Sequence, residues 1–298
     1  MGKGIKSCVE VYSMTYAEWF GIYLALYCRK LRPKTVESYQ RLHALVLPIL
    51  GGLALSAITA DHVQTALVAV EEDAGSRQAQ LAYALIHAVL RRACRSRHLP
   101  YNPADGVDRP SHQPQEGRAI TGEDWHMLKP VICSDLAFAL MGLAGLRRGE
   151  VLGLRWGDVD LPAGVIHVRR ALVRVGGQLA EQPTKSQSGL RDVPIDDDLR
   201  PLLRAAFRLD NRRVVSCSPE TLGRRWRRAQ EDAAIVQPYR LHDLRHTYAT
   251  RYMLAGCNLR VLQYMIGHAS YELTVRTYAH VTASDAVTEY RRVAESLH

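Results

Sequence analysis

Four prolines, Pro100, Pro103, Pro110 and Pro114, fall in one short stretch and constrain this chain more than any other feature. Proline fixes φ and lacks the amide donor, so no long helix or central strand can run through such a segment. With Asn102, Gly106 and Gly117 among them, the stretch reads as an irregular linker that divides the chain in two. Residues 1–11 read as a flexible N-terminal arm and 12–105 as a first domain. Residues 106–118 then form the linker and 119–298 a second domain. The full length of 298 residues gives each part enough chain for its own core.

Before the linker the apolar spacing is helical. Trp19, Ile22, Tyr23 and Leu26 form one stripe, in a helix starting near Thr15. Pro33 suits the first turn of a second helix, whose inner face carries Val36, Tyr39, Leu42, Leu45 and Val46, and which breaks at Leu47-Pro48-Ile49-Leu50-Gly51-Gly52. Thr59 is a good N-cap for a third helix. Gly75-Ser76 opens a fourth, with Arg91, Arg92, Arg95 and Arg97 in its last turns. After the linker, Thr121 begins a helix through a capping pattern. Another from Ser134 carries Leu136, Phe138, Leu140, Met141 and Leu143 on towards Leu154. The period then shifts: Val165–Val168 and Ala171–Val175 read as strands, the second joined to Gln178 onward by the turn Gly176-Gly177. Arg191–Ile195 is a short edge strand and helices resume after Asp198. The fold class is mainly α with a small antiparallel β-sheet in the C-terminal domain.

Near the end of the chain, Leu241-His242-Asp243-Leu244-Arg245-His246, Ile266-Gly267-His268 and Thr277-Tyr278-Ala279-His280 gather groups suited to one chemistry. His242 and Arg245 are three apart, so on a helix they share a face and can address one small anion. An arginine fork matches two oxygens of a phosphate, a histidine moves protons near neutral pH, and a tyrosine can attack covalently. The set suggests attack by a tyrosine on a phosphodiester. The charge balance agrees with a polyanionic partner: 39 Lys plus Arg stand against 30 Asp plus Glu. Arg224-Arg225-Trp226-Arg227-Arg228 is the densest basic run, although a single run of this kind is as readily a solvated helix face. The six cysteines are scattered without a Cys-x-x-Cys pair, which argues for reduced thiols and against a cysteine zinc site. Neither a signal-peptide pattern nor an eighteen-residue apolar run occurs, so a cytoplasmic protein without a membrane span is expected.

Five segments, Gly145-Leu146-Arg147-Arg148-Gly149-Glu150, Thr184-Lys185, His242–His246, Ile266–His268 and Thr277–Val281, occur in one order and together resemble the catalytic domain of tyrosine recombinases, the phage-integrase family. The segment from Arg32 to Tyr39, with Ile58-Thr59, is similar to that family's helical, SAM-like core-binding domain. The resemblance implies a site-specific DNA recombinase that cleaves and rejoins DNA through a 3′-phosphotyrosyl intermediate, integrating or excising a mobile element. Arg147 and Arg245 would grip the scissile phosphate and Lys185 would protonate the departing 5′ oxygen. His242 would assist proton transfer at the tyrosine, His268 would donate a further hydrogen bond, and Tyr278 would be the nucleophile. Glu150 resembles the acidic residue that supports the site. Arg91, Arg92, Arg224 and Arg225 are candidate DNA contacts. Double-stranded DNA as partner, a homotetramer on two sites, and accessory directionality or DNA-bending proteins follow from the same resemblance. No metal or other cofactor is implied, since the phosphotyrosyl ester conserves the energy of the broken bond.

The core-binding pattern begins by about residue 15, which leaves no room for the extra N-terminal domain of many integrases and resembles simpler recombinases, including those resolving chromosome or plasmid dimers. The wording around Thr184-Lys185-Ser186 and Ile266–Ser270 is closer to mobile-element integrases, while type IB topoisomerases are a weaker match. Other readings compete. Arg147 and Glu150 could be an ordinary helix ion pair, and Lys185 a solvated loop lysine. Tyr278 competes with Tyr248, Tyr252, Tyr264 and Tyr271. His242 and His246 imitate a zinc helix, but Arg245 lies on the same side and would repel the ion. A non-catalytic DNA-binding relative would be expected to lack one of the six catalytic positions, and all six are present.

Overall fold

A computed structural model describes residues 14–113, 117–120, 122–183 and 189–267. The chain divides into two compact units, Met1–Pro114 with Val175–Gln178, and Gln115–Arg174 with Leu179–His298.

The first unit is a bundle of α1 (Tyr16–Tyr27), α2 (Pro33–Leu50), α3 (Ala60–Ala74) and α4 (Ser76–Arg95). Local chemistry sets its starts. Thr15 and Glu18 form a capping box on α1, Pro33 opens α2, and Thr59 caps α3 with His62 completing the box. The core gathers Tyr16, Trp19, Phe20, Val46, Leu67 and Ile86, and the Trp19 indole donates to Val89 O at 3.0 Å. Burying side chains of this size stabilises by about 1.5–3 kcal/mol each. Two expectations change. Leu26 is exposed, because α1 buries the face of Tyr16, Trp19 and Phe20 and turns its last residues outward. Helix α2 does not break at Pro48; it continues to Leu50, which is buried against the core. That packing outweighs the single amide donor that the proline removes. The first residues of the proline-rich stretch also pack: Asn102 caps a 3-10 turn at Pro103–Gly106, and Ala104 and Val107 join the core.

The second unit holds α5 (Gly122–Ser134), α6 (Leu136–Gly142), α7 (Arg148–Gly153) and α8 (Leu199–Ala206), then α9 (Pro219–Asp232), α10 (Asp243–Leu254) and α11 (Leu259–Ile266). Strands β1 (Val159–Asp160), β2 (Val165–Val168) and β5 (Arg191–Pro194) form an antiparallel sheet in the order β1-β2-β5. Strands β3 (Arg170–Val175) and β4 (Gln178–Pro183) form a separate two-stranded sheet across Gly176-Gly177. Pro194 sits on the edge strand β5, where a missing donor is tolerated. The core packs Phe138, Leu140, Ile166, Val193, Trp226 and Leu244.

Two boundaries differ from the sequence expectation. Asp135, not Ser134, caps α6, its carboxylate accepting from Ala137 N at 2.9 Å. The apolar run from Leu136 does not continue as one helix into Leu154. It stops at Gly142 and restarts at Arg148, because Gly145 has φ +64° and a Cβ there would lie 2.5 Å from the Tyr248 ring. Arg147 therefore stands at the N-cap of α7, not within a helix. The cap expected at Thr121 lies outside the described residues. No helix among the described residues is long and apolar enough to cross a membrane.

Candidate active site

Three breaks in the helical chain converge to make the site: the Gly145 turn before α7, the start of α10 and the end of α11. Helix α11 closes at Gly267 in the left-handed conformation, which leaves its last carbonyls without helical partners. Arginines take three consecutive ones. Arg191 Nε donates to Met265 O at 2.7 Å, Arg245 Nη2 to Ile266 O, and Arg147 Nη2 to Gly267 O. Arg245 Nη1 also donates to Gly145 O at 2.6 Å, so one guanidinium spans the turn before α7 and the end of α11. Arg245 is buried, while Arg147 keeps about a third of its side chain accessible.

Glu150 organises Arg147. Its carboxylate accepts from Arg147 N at 2.8 Å and Arg147 Nη1 at 2.7 Å, so the pair expected on one helical face is instead an N-terminal box. The same carboxylate takes a two-pronged bond from Arg191 at 3.0 and 2.9 Å. Burial works against ionisation of Glu150, but Arg191 and then Arg147 outweigh it and hold the carboxyl at about 2.

His242 occupies the N-cap position of α10 in helical conformation, so it and Arg245 keep the three-residue relation read from the sequence. Asp243 beside it is buried and accepts from Arg240 N at 2.8 Å, Arg240 Nη2 at 2.9 Å and Arg118 N at 3.4 Å, which anchors the helix start. His242 is exposed by its side-chain surface, yet desolvation where its ring meets the helix start, then the cations of Arg245 and Arg147, lower its pKa to about 4. A neutral ring at physiological pH is the form able to accept a proton. In the DNA-free protein, an NMR titration is therefore expected to leave His242 neutral while ordinary histidines protonate near pH 6.5. Its folded pKa lies below the unfolded one, so the stability it contributes is complete above about 6.5 and is lost as pH falls towards 4. Its exposure makes that contribution small.

Lys185, His268 and Tyr278 lie outside the described residues. Of the competing tyrosines, Tyr248 is buried against Tyr252 and burial raises its phenol pKa far above the ordinary value. Tyr264 accepts from Asp192 N at 3.2 Å. Among the described residues no group of three or more His, Cys, Asp and Glu could hold a metal ion. The candidate DNA contacts are spread over two helices. Arg91 is exposed and Arg92 lies 3.7 Å over the Tyr27 ring, both on α4. Arg224 and Arg225 are exposed on α9 around the buried Trp226, with Arg225 paired to Asp135. Sequence reasoning missed Arg191. Its signal was there: in β5 the inward positions alternate as Arg191 and Val193, which puts a charge in the apolar phase.

A family model described as the phage integrase family matches residues 128–285, more than half of the chain. The chain belongs to the phage integrase family. The N-terminal SAM-like domain of phage integrases matches residues 15–68. Among curated relatives, tyrosine recombinase XerC 2 of Ralstonia nicotianae is 32% identical, the match covering 68% of this chain and 60% of the relative. The transposase from transposon Tn916 of Enterococcus faecalis is 29% identical over 50% of this chain and 42% of its own length. The chain thus spans about three fifths or less of the curated relatives it matches. The fold is that of the Tn1549 transposon integrase solved in complex with transposon right end DNA (TM-score 0.75, 21% identity, 94% of this chain and 100% of that one). It is also that of a lambda integrase dimer bound to a COC′ core site (TM-score 0.68, 19% identity, 89% and 77%).

Proposed function

We propose that this integrase-family chain is a DNA strand-transferase, a cytoplasmic site-specific recombinase that cleaves and rejoins double-stranded DNA to integrate or excise a mobile element. The observation that carries the reading is the convergence of Arg147, Arg245 and a neutral His242 at the ends of α7, α10 and α11. In the reaction, the Tyr278 oxygen attacks the scissile phosphorus and its proton passes towards His242. The bond from phosphorus to the 5′ oxygen breaks, Lys185 protonates that oxygen, and a 3′-phosphotyrosyl ester remains. The guanidiniums of Arg147 and Arg245, with His268, meet the charge that grows on the nonbridging oxygens in the transition state. Rejoining reverses these steps with a new 5′-hydroxyl, so neither ATP nor a metal is called for. The mobile-element reading draws on the resemblance to the Tn916 and Tn1549 proteins. The match to a XerC-type relative keeps dimer resolution as the second reading.

The proposal extends to four protomers acting on two sites, a reading supported by the likeness in fold to a lambda integrase tetramer bound to a Holliday junction. The test is covalent trapping on a nicked suicide substrate carrying the host element's end sequence, in chelator and without ATP. A nucleotide mapped to Tyr278 by mass spectrometry supports the proposal, and native electrophoresis of the adducts reads the number of protomers. Tight binding with no adduct would reduce the function to DNA binding.

Binding itself is expected to weaken with salt, since phosphate contacts release counterions. Arg91→Ala and Arg224→Ala should each lower the slope of log K against log salt by about 1. Arg225→Ala should lower it less, because Asp135 already offsets that charge. Equal slopes for wild type and all three variants would remove these arginines from the DNA-binding surface.

A further inference from the structure

The Arg191 side chain is fully buried and faces Glu150, itself 3% exposed, across a two-pronged ion pair. Four hydrogen bonds leave its guanidinium. Two reach Glu150, one reaches Met265 O at 2.7 Å, and one reaches Gly189 O at 3.4 Å. Each partner belongs to a segment that carries a proposed catalytic group. Glu150 holds the backbone amide and one arm of Arg147. Met265 lies two residues before Gly267, whose carbonyl holds the other arm of Arg147. Gly189 lies four residues after Lys185 in the chain.

A charge in a strand core is costly to bury, and one lysine could supply a cation to Glu150 at lower geometric demand. An arginine fork does what a lysine cannot, since its two terminal nitrogens hold both carboxylate oxygens of Glu150 while its Nε reaches the Met265 carbonyl. Without the fork, Glu150 is free to rotate onto Arg147 alone and draw that guanidinium away from a phosphate.

We propose that Arg191 is a positioning residue of this recombinase: through the shared Glu150 carboxylate and the α11 terminus it sets the orientation of Arg147 towards the scissile phosphate. The inference rests on the recombinase reading above. Arg191 touches no substrate and acts through Arg147.

The experiment compares wild type with Arg191→Lys on two nicked substrates in single turnover, one with an ordinary scissile phosphate and one with a methylphosphonate there. The methylphosphonate lacks the charged oxygen that Arg147 answers. With the phosphate, Arg191→Lys is expected to slow adduct formation on the order of 100-fold, the scale of an ångström-sized misplacement, with DNA affinity unchanged. With the methylphosphonate the deficit should largely vanish. A merely structural role would slow both substrates equally, and that result overturns the proposal.

A second measurement is independent of activity. In arginine-labelled, DNA-free protein, the Arg147 side-chain resonance should be protected in wild type and lost in Arg191→Lys; an unchanged resonance overturns the proposal as well. If wild type forms no adduct on the phosphate, the recombinase reading fails and the resonance alone decides Arg191. Should Arg191→Lys not fold, Arg191→Gln, which keeps Glu150 paired with Arg147 and leaves no cation in the strand core, takes its place in both measurements.

Discussion

Tyr278→Phe is expected to form no covalent adduct with a suicide substrate while still binding it. The substitution removes one oxygen, and that oxygen is the proposed nucleophile, so nothing remains to displace the 5′ oxygen. Loss of a single hydroxyl hydrogen bond is worth about 0.5–1.5 kcal/mol, so DNA affinity should fall by no more than roughly tenfold. The competing tyrosines give the experiment its controls. Tyr248 is buried, with its phenol held protonated by burial, and Tyr264 is tied to the Asp192 amide. Tyr264→Phe should therefore cleave as wild type does. An adduct in Tyr278→Phe would move the nucleophile elsewhere and undo the assignment.

Replacement of Arg245 is expected to damage both chemistry and fold, and two variants separate the effects. In Arg245→Ala the carbonyls of Gly145 and Ile266 lose the guanidinium that spans them. A buried polar group left unsatisfied costs about 1–3 kcal/mol, so a lowered melting temperature is expected alongside loss of cleavage. Arg245→Lys keeps a cation but not the planar fork, and a point charge cannot reach both carbonyls and a phosphate. Its cleavage rate should fall on the order of 10²–10³, the usual effect of removing one transition-state donor, with a smaller change in melting. Full activity in Arg245→Lys would show that charge alone suffices and would contradict the geometric role given to the fork.

The sequence made legible those features that depend on short range. Thr15, Pro33 and Thr59 opened their helices because a cap or a fixed φ acts within one turn. Gly176-Gly177 turned the β3–β4 pair for an equally local reason. Of the proposed site, Arg147, Glu150, His242 and Arg245 were found from their motifs. What failed depended on packing from afar. Pro48 did not stop α2, because Leu50 is drawn into a core that the local pattern does not contain. The Leu136 run broke before Arg147, because the Tyr248 ring, a hundred residues on, lies against Gly145. Arg191 passed as a strand residue, because its partners Glu150 and Met265 lie far away in sequence on either side.

The end of α11 carries a consequence for how a charged ligand is met. Bringing three guanidiniums together is unfavourable in itself, and a site that assembled them only around DNA would lose that energy from every encounter. Here three successive carbonyls at the negative pole of a helix already hold them. The mutual repulsion is offset during folding, so in the proposed reaction Arg147 and Arg245 would be held in place before a phosphodiester arrives. Affinity and rate then draw on the stability of the fold. A substitution that frays α11, even at a residue remote from DNA, should weaken the grip on phosphate in proportion to the order it removes.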